Sequence, residues 1–107
     1  MKTKDMCLIW IGLAALSGSP DNHVLDGCIG VYSTFLSVAD GLPQFRANLV
    51  SAASELDLQL DELCWAEPLV DRLAKYEIDD YLLKLAIETA GDMKPRFGEF
   101  HGWEGYD

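Results

Sequence analysis

Two histidines and three cysteines are the side chains best suited to proton transfer or nucleophilic attack, and their neighbours decide whether they can perform either. His101 stands in Glu99-Phe100-His101-Gly102-Trp103-Glu104. In a strand, Glu99, His101 and Trp103 share a face, so an acid–base pair of His101 with Glu99 or Glu104 is sterically allowed. The simpler reading is a surface histidine with carboxylate neighbours. His23 follows Asp21-Asn22 in a polar connection. A cysteine nucleophile needs positive charge to stabilise its thiolate. Cys7, Cys28 and Cys64 lie instead in apolar or acidic surroundings, which push a thiol pKa upward. The adjacent pairs Asp61-Glu62 and Asp79-Asp80 point apart on any regular element, and neither EF-hand spacing nor a glycine-rich phosphate loop occurs. The expectation is a protein that is not an enzyme, with no catalytic residue, no metal and no cofactor.

The remaining chemistry is electrostatic. Between Glu55 and Asp80 the chain carries nine carboxylates (Glu55, Asp57, Asp61, Glu62, Glu67, Asp71, Glu77, Asp79, Asp80) against two cations, Arg72 and Lys75. The whole chain has a net charge of −10. Such self-repulsion opposes compaction, so its retention suggests a use. Nucleic-acid backbones and anionic membranes both call for clustered cations, and none occur. A basic protein is the matching partner; simple solubility is the plainer explanation. Trp65, Tyr76, Tyr81, Trp103 and Tyr106 lie within or beside the acidic stretches. Tyrosine and tryptophan flanked by carboxylates suit an interface for a cationic partner. The expected partner-binding set is Asp57, Asp61, Glu62, Trp65, Glu67, Asp71, Tyr76, Glu77, Asp79 and Asp80.

These residues need a scaffold. With half of its 107 residues hydrophobic, the chain reads as one globular domain (1–107) rather than a disordered segment. Three widely spaced cysteines are neither a disulfide framework nor a zinc site and fit a reducing cytoplasm. Lys2 and Lys4 before the apolar run Met6–Leu16 mimic a secretory signal. Asp5, Trp10, Gly12 and the shortness of the run argue against one, and a membrane-spanning helix needs about 20 apolar residues.

Met6–Leu16 reads as a strand bounded by Ser17-Gly18-Ser19-Pro20, apolar enough to be a central strand covered on both faces or to have one face extended by a dimer. Cys28–Ala39, rich in β-branched and aromatic residues, reads as a second strand antiparallel to it. Phe45, Leu49, Ala52, Ala53 and Leu56 form one stripe of a helix over Pro43–Leu56. Leu56, Leu58 and Leu60 alternate with polar residues, which predicts a third strand within Asp57–Glu67. A short helix is expected over Leu69–Tyr76 and a longer one over Asp79–Ala90, capped by Gly91. Arg96–Trp103 is expected to be the last strand. The predicted order is β-β-α-β-α-β. The predicted class is α+β, a mainly antiparallel sheet of about four strands with two or three helices on one face. Trp10, Phe35 and Phe45 are expected in the core.

An acidic α+β chain of this length, with an apolar opening strand containing Trp10 and the tail Phe97-Gly98-Glu99-Phe100-His101-Gly102-Trp103-Glu104, resembles the small immunity proteins of bacterial toxin–immunity systems, including those of contact-dependent growth inhibition. The resemblance rests on layout rather than on a diagnostic motif. It implies stoichiometric neutralisation, inside the producing cell, of a cognate toxin that is often a basic nuclease. Rival readings are a DNA-mimicking inhibitor of a nucleic-acid enzyme, a small enzyme using His101, and an accessory module that dimerises through its apolar first strand.

Overall fold

The computed structural model describes residues 9–103. The elements run β1 (Ile9–Gly18), β2 (Gly30–Val38), α1 (Leu42–Glu55), β3 (Leu58–Pro68), α2 (Leu69–Lys75), α3 (Asp80–Asp92) and β4 (Arg96–Trp103). The four strands form one sheet in the order β3-β1-β2-β4, with every neighbouring pair antiparallel. The α+β class and the order of strands and helices are those the sequence predicts. The first three residues of the expected opening strand, Met6 to Leu8, lie outside the described residues, as does Cys7.

The helices occupy both faces of the sheet, not one. The reason lies in β1, whose alternate residues are apolar in both directions. Trp10, Ala14 and Leu16 join the cluster under α1 with Phe35, Phe45, Leu49 and Ala53. Ile9 and Ile11 point the other way and pack with Leu36, Leu69 of α2 and Ala86 of α3. A central strand apolar on both sides needs a cover on each. Connectivity supplies the two covers. Strands β2 and β3 flank β1 and run parallel, so α1 must cross one face between them. Strands β3 and β4 are the opposite edges, so α2 and α3 traverse the other face.

On the α1 side, Phe45, Leu49 and Ala53 are fully buried at the spacing i, i+4, i+8. Burying one large apolar side chain contributes roughly 1.5–3 kcal/mol. The aromatic rings form a file: Trp10 lies 6.0 Å from Phe45, Phe45 5.5 Å from Phe35, Phe35 4.8 Å from Phe97, and Phe97 5.3 Å from Phe100. Phe35 and Phe45 are core as expected, while Trp10 is half-buried. Gly12 lets β1 pass beneath this file. A Cβ there would come within 2.8 Å of the Trp65 carbonyl oxygen and 2.9 Å of the Phe45 ring.

The helix ends are set by polar contacts. Asp79 caps α3 by accepting a 2.9 Å hydrogen bond from the Leu82 N–H. The predicted stop at Gly91 falls inside the helix. The left-handed residue is Met93 (φ 62°), whose N–H bonds the Thr89 carbonyl. Asp92 fixes the turn at that point by accepting from the Lys94 N–H at 2.9 Å and from the Arg96 guanidinium. At the opposite end of the sheet, the Asn22 amide donates to the carbonyls of Leu56 (2.8 Å) and Asp57 (3.0 Å), tying the β1–β2 connection to the α1–β3 turn.

Candidate partner-binding surface

The acidic run of the sequence folds into three different situations. Strand β3 separates them, because Asp57, just before it, and Glu67, near its end, are ten residues apart, roughly 30 Å at strand rise.

At the start of β3 lie Asp57, Asp61 and Glu62. Asp57 takes the left-handed conformation (φ 60°) that turns the chain from α1 into β3. Aspartate tolerates that conformation better than most residues, which gives this residue a backbone role. Asp61 accepts a 2.9 Å hydrogen bond from the Ser17 hydroxyl of the neighbouring strand. Glu62 is exposed opposite Ala15.

At the end of β3, five side chains are brought together into one fastening. Glu67 accepts from Arg72 at 3.0 Å and from Lys75 at 2.7 Å. The Arg72 guanidinium lies 3.8 Å from the Trp65 ring centroid and 4.3 Å from that of Tyr76, so it is sandwiched between the two. The hydrogen bond from Lys75, then that from Arg72, holds the Glu67 carboxyl below the usual carboxylate range. The same contact with Glu67 raises Lys75 above the usual lysine range. Trp65 is half-buried against the cluster under α2 and α3. Both cations of the acidic run are therefore spent inside the chain on one carboxylate. Trp65 and Glu67, expected as contact residues, hold α2 onto β3.

Beyond the fastening, the remaining expected residues are gathered on the α2–α3 layer. Asp71 in the first turn of α2, then Glu77 and Asp80, are exposed, and Asp79 is exposed while capping α3. Apolar side chains stand among them: Tyr76 is 54% exposed, Tyr81 44%, Leu73 39% and Val70 38%. Val70 and Leu73 were not singled out by the sequence reading, since a seven-residue helix is too short to display a periodic face. The layer thus offers acidic groups around half-exposed apolar and aromatic ones.

The other candidate side chains lie at the surface or in partly buried positions. His101 lies 3.8 Å from Glu99, and both side chains are about two-thirds exposed or more (71% and 66%); His23 is exposed in the β1–β2 connection. Cys64 is exposed on β3, with its thiol pKa raised by partial burial and by Glu62. Among the described residues, no group of three or more His, Cys, Asp or Glu side chains is disposed to hold a metal. Among the same residues, no helix is long and apolar enough to cross a membrane.

No protein-family model, no curated protein and no solved structure matches this chain.

Proposed function

We propose that the chain is an immunity protein of a bacterial toxin–immunity system. In this reading it binds a cognate basic toxin of the nuclease type in the cytoplasm and blocks it stoichiometrically. The observation that carries the reading is the asymmetry of the α2–α3 layer. Arg72 and Lys75 are both paired with Glu67, while Asp71, Glu77, Asp79 and Asp80 are exposed beside Tyr76 and Tyr81. A nuclease site that grips phosphates is lined with cations. Carboxylates can occupy those positions and exclude the substrate, and aromatic side chains can anchor the contact. Complementary fields also steer association, up to about 10⁸–10⁹ M⁻¹s⁻¹ at low salt.

The test uses the toxin encoded beside this chain, measured by stopped-flow and titration calorimetry. The association rate is expected to fall steeply with added salt. Charge reversal of Asp71, Glu77 and Asp80 together is expected to weaken binding by about a hundredfold or more, two pairs at about 1.5 kcal/mol each giving that factor. Reversal of Asp61 and Glu62 at the far end of β3 serves as the comparison. Unchanged affinity in the triple variant would remove the α2–α3 layer as the interface. Failure of the chain to protect against any basic toxin encoded beside it would remove the function.

A further inference from the structure

Strand β4 is an edge of the sheet: it pairs with β2 on one side, and among the described residues no strand pairs with its other side. The opposite edge, β3, is guarded. It has two register shifts against β1, carries Asp61 and Glu62, and ends in Pro68, devices that discourage edge-to-edge pairing. Between Arg96 and Trp103, β4 has no proline and formal charges that cancel, Arg96 against Glu99. An edge of this kind is a template for another strand.

The sequence of β4 specifies which strand. Arg96-Phe97-Gly98-Glu99-Phe100-His101-Gly102-Trp103-Glu104 has the same chemical pattern in both directions about Phe100, with complementary charge. Glu99 mirrors His101, Gly98 mirrors Gly102, Phe97 mirrors Trp103, and Arg96 mirrors Glu104. When a strand pairs antiparallel with its own copy across a two-fold axis, each residue faces its mirror position in the other chain. Phe100 then faces its own copy, and on either side of it the acid Glu99 faces the base His101. We propose that β4 pairs in this way with β4 of a second copy, with the axis at Phe100, so that two sheets become one continuous eight-stranded sheet.

Three features of the structure bear on this pairing. Glu99 and His101 are exposed neighbours 3.8 Å apart, so the dimer brings two of each into one alternating cluster of carboxylates and imidazoles. The file of aromatic rings through the core ends at this edge with half-buried Phe100, and the second copy's Phe100 continues it. The β2–β4 register shifts by one between Ser33 and Phe35, which sets Gly98 and Glu99 together against Thr34. This extra residue takes Phe97 and Arg96 out of mirror register, so the pairing across the axis rests on Phe100, Glu99 and His101, and Arg96 stays with Glu88 and Asp92. The net charge of −10 per chain opposes association in general, and the neutral strip at β4 is where that opposition is weakest.

The experiment is sedimentation equilibrium of the full chain from about 1 to 200 μM. It compares the wild type with Glu99→Lys, His101→Glu and the swap Glu99→His/His101→Glu, with circular dichroism to confirm that each folds. The wild type is expected to show a monomer–dimer equilibrium. Each single variant is expected to weaken it by at least about tenfold, because symmetry counts every cross-strand pair twice. The swap restores complementarity and is expected to return the dissociation constant to within about threefold of wild type, the usual scatter among such pairs. A chain monomeric at every concentration, single variants that dimerise as well as wild type, or a swap no better than the singles would each overturn the pairing.

Discussion

Helix α1 and the α2–α3 pair cover opposite faces of one sheet, and they do so by different means. Helix α1 seats Phe45, Leu49 and Ala53 fully in the core, and its only charged residues are Arg46 and Glu55. The α2–α3 layer has fewer large buried side chains: its buried residues are Leu69, Ala86 and Thr89. From Leu69 to Asp92 it carries six carboxylates and three cations. What it lacks in apolar burial it replaces with directed polar contacts: the Arg72 sandwich, the Asp79 cap and the Arg96 pairs with Glu88 and Asp92. One layer is specified by the hydrophobic effect, which needs its side chains inside. The other is specified by a few polar fastenings, which leave its outer side chains free to be chosen for recognition.

The largest expected effect tests the first half of that contrast. Phe45→Ala removes a ring in contact with both Trp10 and Phe35 and is expected to cost about 3–5 kcal/mol in chemical denaturation. Leu69→Ala, at the corresponding apolar anchor of α2, is expected to cost about 2–3 kcal/mol, the low end for a buried leucine, because the thinner layer can relax into the space. A loss at Leu69 equal to that at Phe45 would break the comparison, since it would make both layers equally dependent on apolar packing.

The polar fastening gives a smaller effect with a distinct pH signature. Arg72→Ala removes the guanidinium from between Trp65 and Tyr76 and one of the two hydrogen bonds to Glu67. The expected cost is about 1–2 kcal/mol. Arg72→Lys is expected to recover little, because an ammonium cannot stack between two rings as a planar guanidinium does. Glu67 titrates below its ordinary value in the folded chain. Its stabilisation is therefore complete above the unfolded carboxylate pKa of about 4.3 and is lost as pH falls through the lower folded value. Lys75 titrates above its ordinary value, so its share is complete below about 10.4 and is lost as pH rises through the folded value. The fastening's contribution to stability should accordingly be flat between these limits, with an acid limb that Arg72→Ala makes shallower. An acid limb identical in wild type and variant would show that Arg72 contributes nothing to it.

Legibility in the sequence followed the same division. The stripe Phe45, Leu49, Ala53 announces α1 because a helix that buries one face must repeat every 3.6 residues; β1 and β2 are legible from their apolar and β-branched runs, β3 from the alternation of Leu58 and Leu60 with polar residues, and β4 from its aromatic residues. The second helical layer was harder to read. Helix α2 has seven residues, less than the span over which a period can be recognised. Its position depends on Arg72, whose aromatic partners are Trp65, on β3, and Tyr76, just past the end of α2, so the contact joins separate segments and no single period reveals it. The two-sided cover was implicit in the continuous apolarity of β1, yet which helix takes which face depends on sheet order, a long-range property. For the candidate surface, the count of carboxylates was plain from the sequence. Their sorting was not: Glu67 and Trp65 turned inward and Asp57 into a left-handed turn because of partners that only the folded chain supplies.

The finest distinction concerns Asp79, which belongs to both halves of the contrast. Its side chain accepts from the Leu82 N–H and so closes the first turn of α3. It also adds a negative charge to the outer surface, next to exposed Asp80. Asp79→Ala is expected to destabilise the chain by about 1 kcal/mol through loss of the cap. Asp79→Asn keeps a side-chain oxygen at the capping position and removes the charge, so its stability is expected to fall by only a few tenths of a kcal/mol, the helix-dipole share. Partner association sorts the same variants in the opposite way. The asparagine variant should lose on-rate to a basic partner almost as much as the alanine variant does, because steering depends on charge and not on the cap. If the asparagine variant instead behaved as wild type in both assays, Asp79 would be a capping residue alone, and recognition on this layer would rest on Asp71, Glu77 and Asp80.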